Sequence, residues 1–404
     1  MDLHAIQLEL KAHKLDGWLF YDHHRRDPIA YRILGLPEGQ MASRRWYYFI
    51  PVEGEPRKLV HRIESAALDD LPGGRALYSQ WAELTVQLKL LLGAAAGPRI
   101  AMQYSPGCEL PAISMADAGT VEQVRALGCT VVSSADLISR FDAAWTPAML
   151  ASHRRAGRVI DATIRAAFGQ VRAALDAQRP ISEYELQQWM AERMREGGLV
   201  VAGAGEEPIV AVNGHAGDPH YQPQAQGSAA ITAGSLLLLD VWGREAKVPR
   251  AESAFYDVTW VGYCLRAGES APPDAMARVF SVVRDAREAG IELVEQAITA
   301  GRPLHGFEVD QRVRGVIQAA GLGEFFVHRT GHSLGRDVHS SGANLDDFET
   351  HDVRQILPHS AFTIEPGVYC PQQQPFGVRS EVNLYIGEGT VEVTAPRQAE
   401  IVRI

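Results

Sequence analysis

The chain has 404 residues, 46% of them hydrophobic and 22% charged, with a formal net charge of −10. That length exceeds one ordinary core and sets two domains as the starting expectation, and the apolar fraction is that of a folded globular chain. The acidic balance disfavours a nucleic-acid partner, whose phosphates want a basic face, and the longest apolar run, "SLLLLDVW", is strand-sized and carries an acid, far from the ~18 apolar residues of a membrane helix.

The N-terminal "MDLHAIQLELKAHKLDG" is charged throughout and has no apolar h-region, which reads as no signal peptide. Residues 4–13 read as a helix. "DGWLFY", "RRWYYFIP", "RKLVHR", "RIAMQY" and "CTVVSS" read as strands, and "SQWAELTVQLKLLLGAAA" has helical spacing. Alternating strands and helices predict an α/β layer domain over 1–145, without a nucleotide-binding glycine signature. Cys108, Cys129, Cys264 and Cys370 are scattered with no CxxC, as expected of reduced thiols, and a cytoplasmic location is expected.

The second domain, 146–404, opens at Thr146-Pro147, a capping hydroxyl followed by Pro in the first helical turn. A long helix to about residue 177 is predicted. A second starts at a capping box, Ser182 with Glu185, and stops at Gly197-Gly198. A third spans about 273–300 and puts Met276, Val279, Val283, Leu293 and Ile298 on or near one face; "EVDQRVRGVIQAAG" is a shorter helix closed by Gly321. The strand-like runs are "PIVAV", "SLLLLDVW", "AFYDVTWVGY", "SAFTIEPGVY", "FGVRSEVNLYI", "TVEVT" and "EIVRI". They come in hairpin-like pairs, so the expected class is α+β, a curved antiparallel sheet backed by helices.

Acids interrupt these strands. Asp240 sits in "LLLLDVW", Asp257 in "FYDVTW", Glu365 in "FTIEPGVY" and Glu381 in "GVRSEVNLYI". A buried carboxylate is costly unless paired, hydrogen-bonded or bound to a cation. One alone reads as a satisfied strand acid. Four on two hairpins would repel one another, and a cation converts that repulsion into affinity. Three of the chain's 14 histidines fall within "HRTGHSLGRDVHSSG", and an imidazole added to the acids favours Mn, Co, Fe or Zn over Mg or Ca. Such a set suits two metals ~3.5–4 Å apart that share carboxylates and activate water for hydrolysis.

The order Asp, Asp, His, Glu, Glu resembles the pita-bread metallopeptidases, the fold of methionine aminopeptidase, aminopeptidase P, prolidase and creatinase. The resemblance covers about 150–404, with "HRTGHSLGRDVH", "TIEPGVY" and "GVRSEV" similar to three family blocks; the N-terminal half is similar to the creatinase-type domain of prolidase and aminopeptidase P. It implies Asp240, Asp257, His332, Glu365 and Glu381 as ligands of two divalent ions, Mn first, with Co, Zn or Fe as alternatives. Asp257 and Glu381 would be shared between the ions. It further implies His220 and His339 as groups that contact substrate, Glu365 as the proton shuttle, and Arg379 as the side chain that holds ligand carboxylates in place. His328 reads as support and His215 as a loop residue. The implied reaction is hydrolysis of Xaa-Pro bonds by a metal-bridging hydroxide, in a dipeptide or at the N-terminus of a longer peptide. The implied partner is a short proline-containing peptide, with a homodimer expected and neither nucleic acid nor membrane. A creatinase-like amidinohydrolase and a non-catalytic peptide-binding relative are the alternatives.

Three features depart from the family. Asp240 and Asp257 are 17 positions apart, so "GREAKVPRAESAF" reads as a longer hairpin tip, placed over the site. Ser340 follows His339 where an acid is common, and Trp260 stands where arginine is common.

Overall fold

The computed structural model describes residues 1–37, 39, 41–93, 97–201, 207–370 and 375–404. These divide into two units, Met1–Asp142 and Ala143–Ile404.

The first unit runs α1 (Leu3–Ala12), β1 (Gly17–Asp22), α2 (Pro28–Leu34), β2 (Trp46–Pro51), β3 (Arg57–His61), β4 (Gly74–Tyr78), α3 (Trp81–Leu92), β5 (Arg99–Met102), α4 (Ala118–Ala126), β6 (Thr130–Ser133) and α5 (Ala135–Phe141). One six-stranded sheet has the order β4-β3-β2-β1-β5-β6. Only β2 pairs antiparallel to its neighbours, so the other five strands share a direction. Alternation along β1 sends Trp18 and Phe20 into a core with α1, α2 and α5, and Leu19 and Tyr21 into another with α3 and α4. Every strand read from the sequence here is present. β4, α2, α4 and α5 had escaped notice, because short elements carry few periodic positions. The last three alanines of the helix read over 79–96 lie outside the described residues.

The second unit begins with α6 (Pro147–Asp176), capped by Thr146, and α7 (Glu183–Glu196), whose Ser182–Glu185 capping box forms in both directions. β7 (Ile209–Val212), β8 (Leu236–Gly243) and β9 (Tyr256–Tyr263) follow, then α8 (Asp274–Thr299), α9 (Gly306–Ala319) and β10 (Ser333–Leu334). The chain ends with β11 (Ala361–Ile364), β12 (Gly367–Cys370), β13 (Phe376–Arg379), β14 (Val382–Ile386), β15 (Val391–Val393) and β16 (Val402–Arg403). Two four-stranded sheets, β16-β9-β8-β7 and β10-β11-β14-β15, accompany a β12-β13 hairpin. α6 and α7 back β7 to β9, and α8 backs β11, β12, β13 and β15. "SAFTIEPGVY" and "FGVRSEVNLYI" each prove to be two strands, broken at Glu365-Pro366 and Ser380-Glu381, with β11 pairing β14 and β12 pairing β13. Among the described residues no helix is long and apolar enough to cross a membrane.

His153 of α6 is buried, with Nδ1 2.6 Å from Phe255 O and Nε2 2.6 Å from Thr394 Oγ1. A carbonyl only accepts, so Nδ1 carries a proton. Burial pushes its pKa down to about 4 from 6.5. The unfolded chain therefore binds this proton more tightly, and stability present above pH 6.5 is lost as pH falls toward 4. The predicted loss is about 3 kcal/mol. Urea unfolding at pH 7.5 and 4.5 should show that wild type loses more stability than His153→Gln; an equal loss would refute this role.

Candidate metal centre

β8 and β9 pair so that Asp240 faces Thr259 and Trp242 faces Asp257. Residues two apart share a face of a strand, so these four side chains project from one side of the sheet. The opposite face is apolar: Leu239, Val241 and Val258 lie in the main core. Glu365 and Glu381 sit at the two strand breaks, where the backbone turns out of one sheet toward another. Glu381 N donates to Thr259 O at 3.4 Å, and Asp257 N donates to Asn383 Oδ1 at 3.3 Å, which brings the second sheet against the first. His332 precedes β10, and its N–H donates to Thr363 Oγ1 at 3.0 Å. Gly331 allows that approach, since a Cβ there would lie 2.0 Å from Thr363 O.

All five expected ligands line one cleft of about 790 Å³. Asp257, His332 and Glu381 present ligand atoms within 4.8 Å of one another. His332 Nε2 lies 3.3 Å from Glu365 Oε1 and 3.6 Å from Asp257 Oδ2. Asp240 is held instead by Arg379, whose Nη2 donates to its Oδ2. Arg379 Nε donates to Thr259 Oγ1 at 2.9 Å and lies 3.9 Å from Glu365 Oε2, and Nη1 reaches Tyr369 OH at 3.4 Å. The carboxylate that Arg379 holds is thus Asp240, and Glu381, two residues on, has another partner. That partner is Thr259, donating to Glu381 Oε2 at 2.7 Å.

The protonation pattern follows from burial and crowding. Burial, then the charges of Asp257, Glu365 and Asp240, holds the Glu381 carboxyl well above the carboxylate range. Burial also raises Asp257 and pushes Asp240 up to about 7, despite Arg379 beside the latter. Glu365 goes the other way: burial is outweighed by His332 and Arg379, and its pKa is lowered. Burial lowers His332, but its hydrogen bond to Asp257 and the charge of Glu365 more than reverse this. One oxygen, Asp257 Oδ1, is buried with no hydrogen-bond partner. Three adjacent carboxylates with raised pKa, an orphaned oxygen and an imidazole form a donor set that fits a divalent cation.

His220 and His339 also line the cleft, and both are exposed to its solvent. The His339 ring stands edge-on to His332 at 4.3 Å. The charge of His332, then partial burial, holds its imidazole below the ordinary range and therefore neutral. His328 is a support: Nε2 accepts from Tyr369 OH at 2.8 Å, and Nδ1 donates to Arg329 O at 2.7 Å. His215 belongs to another cluster, with Nδ1 3.0 Å from buried Glu183. The long β8–β9 connection contributes Phe255 to the cleft wall and is pinned by Arg250 to Asp337.

Three contributors had escaped sequence reasoning. Thr259 lies two residues from Asp257 on the same face, a signal that was available. Tyr369 ends the quoted "TIEPGVY". Arg287 is buried in α8, its Nη1 donating to Ser380 Oγ at 2.6 Å beside the Glu381 turn, and its Nη2 to Gln398 O at 3.1 Å. A charge four residues after Val283 on the apolar face of α8 was the available hint.

A sheet face bearing clustered carboxylates and one histidine, backed by long helices, defines the pita-bread class. Residues 151–388 match metallopeptidase family M24, and the chain belongs to that family. It is 25% identical over 351 residues to the probable dipeptidase PepE of Mycobacterium tuberculosis, covering 85% of this chain and 82% of that one. It is 28% identical over 238 residues to the Xaa-Pro dipeptidase of Lactobacillus delbrueckii subsp. lactis, covering 58% of this chain and 56% of that one. The crystal structure of dipeptidase PepE from Mycobacterium ulcerans superposes with a TM-score of 0.68 at 22% identity, covering 100% of this chain and 96% of that one.

Proposed function

We propose that the protein is an exopeptidase that hydrolyses Xaa-Pro bonds with two divalent ions, Mn foremost, held by Asp240, Asp257, His332, Glu365 and Glu381. The observation that carries this reading is the convergence of Asp257, His332 and Glu381 within 4.8 Å, with Asp257 Oδ1 left unpartnered. Divalent ions at such a site polarise a carbonyl and make water nucleophilic near neutral pH.

The chain's own groups supply the rest. Arg379 and Thr259 fix Asp240 and Glu381, so the ligand oxygens are preorganised. Glu365, with a lowered pKa and Thr363 Oγ1 donating to its Oε1 at 3.0 Å, takes the proton from the attacking water and returns it to the leaving amine. A neutral His339 donates a hydrogen bond to the carbonyl oxygen as its charge grows, and His220 holds the substrate. Trp242, Phe255 and Val338 give the cleft an apolar wall suited to a pyrrolidine ring. The first 142 residues form the creatinase-type domain of this reading. A homodimer and a cytoplasmic location complete it.

The test combines metal analysis with hydrolysis of Gly-Pro against a Gly-Pro-Xaa tripeptide. The expected result is bound divalent metal, Mn- or Co-dependent release of glycine, and no cleavage of Gly-Ala at a comparable rate. Absence of metal with no rescue by Mn or Co would overturn the reading.

A further inference from the structure

The first unit carries a second cleft, of about 1200 Å³, that the peptidase reading leaves unused. It opens at the carboxyl ends of β1, β3 and β4, where an open sheet of mostly parallel strands commonly receives ligands. Its lining is cationic. Arg26, Arg45, His23 and His24 face it; the Arg45 side chain hydrogen-bonds Tyr78, another lining residue, and the other three make no side-chain hydrogen bond or ion pair among the described residues. The His23 and His24 rings stand 4.2 Å apart. Burial, then the charges of His24, Arg26 and Arg45, pushes the His23 imidazole down, against a smaller opposing pull from Asp22.

The nearby acids are already engaged. Asp22, 1% exposed, accepts from the amides of Arg25, Arg26 and Asp27 and from Tyr31 OH. Asp117 caps α4 through Thr120, and Glu64 binds Ser43 and the Arg44 amide. Glu122, exposed in the lining, makes no such contact among the described residues. Behind the cleft Tyr47, 0% exposed, has a hydroxyl with no partner. It lies within the electrostatic reach of Arg45, Tyr21, Tyr78 and Asp117, all of which line the cleft. His24 and Arg25 both take left-handed backbone, with φ of 63° and 58°. Two consecutive residues other than glycine in that region are held there by the Asp22 carboxylate, and such strain gathers at binding sites.

We propose that this cleft binds a small molecule bearing a phosphate group, gripped by Arg26, Arg45 and the His23–His24 pair. A phosphomonoester brings about −1.5 to −2 charges and three acceptor oxygens, which matches two guanidinium groups that no carboxylate neutralises among the described residues, and two imidazoles, better than one carboxylate does. Trp81, 82% exposed at the rim, offers a face for the rest of the molecule.

The test titrates inorganic phosphate, then pyrophosphate, into the metal-loaded full chain while the histidine ring resonances are followed by NMR. The His23 and His24 signals should shift together and saturate. The double variant Arg26→Gln/Arg45→Gln should bind at least about ten-fold more weakly, whereas Arg99→Gln, an exposed arginine of the same unit, should change affinity less than about two-fold. Arg26→Gln alone, on an exposed side chain, serves if the double variant fails to fold. Binding that ignores both arginines places phosphate elsewhere, including the metal centre, and overturns the proposal. So do silent His23 and His24 signals, or equal saturation by acetate.

Discussion

Replacing Asp257 with alanine is expected to abolish metal loading and to lower peptidase activity by about 10³-fold or more, the equivalent of several kcal/mol of lost charge stabilisation. Asp257 is buried, carries the orphaned Oδ1, and has its Oδ2 3.6 Å from His332 Nε2. The change removes a ligand that two ions would share, so neither ion keeps its coordination. A second consequence separates this from simple unfolding. Burial keeps the Asp257 pKa raised, and Glu381 is raised by burial and then by Asp257 itself. The metal-free variant should therefore be at least as stable as the metal-free wild type, while only wild type gains stability when Mn is added. Elemental analysis with thermal unfolding, each with and without Mn, measures both. A variant that still binds its full complement of metal would remove Asp257 from the centre.

His339→Ala is expected to keep the metals and lose turnover, with kcat down about 10²- to 10³-fold, the scale for losing one oxyanion donor. Its ring lies beside His332 at 4.3 Å but is exposed in the cleft and makes no hydrogen bond among the described residues. It is free to meet substrate and contributes nothing to holding the ligands. The contrast with Asp257→Ala lies in the metal analysis. Loss of metal from His339→Ala would mean that His339 is a ligand and that the roles in "HRTGHSLGRDVH" need redrawing.

The second unit's helices were legible because their signals are local. Thr146 and Pro147 start α6, and Ser182 and Glu185 start α7, through contacts spanning three or four residues. The acids of β8 and β9 stood out for the same reason: a carboxylate inside "LLLLDVW" breaks a short apolar run. The two glutamates were visible as acids but not as turns. "FTIEPGVY" and "GVRSEVNLYI" read as unbroken strands, and the break at each glutamate comes from which neighbour each half pairs with.

Residue type and order in the chain thus pointed to the candidate ligands and to the three unequal histidines. The sharing of work between them came from contacts at long range. Thr259 reaches Glu381 across 122 positions, Arg379 reaches Asp240 across 139, and Arg287 reaches Ser380 across 93. No spacing rule encodes such pairs, since they depend on sheet register and on the packing of α8 against the second sheet. That packing decided which carboxylate Arg379 holds, Asp240, and it left Asp257 Oδ1 without a partner.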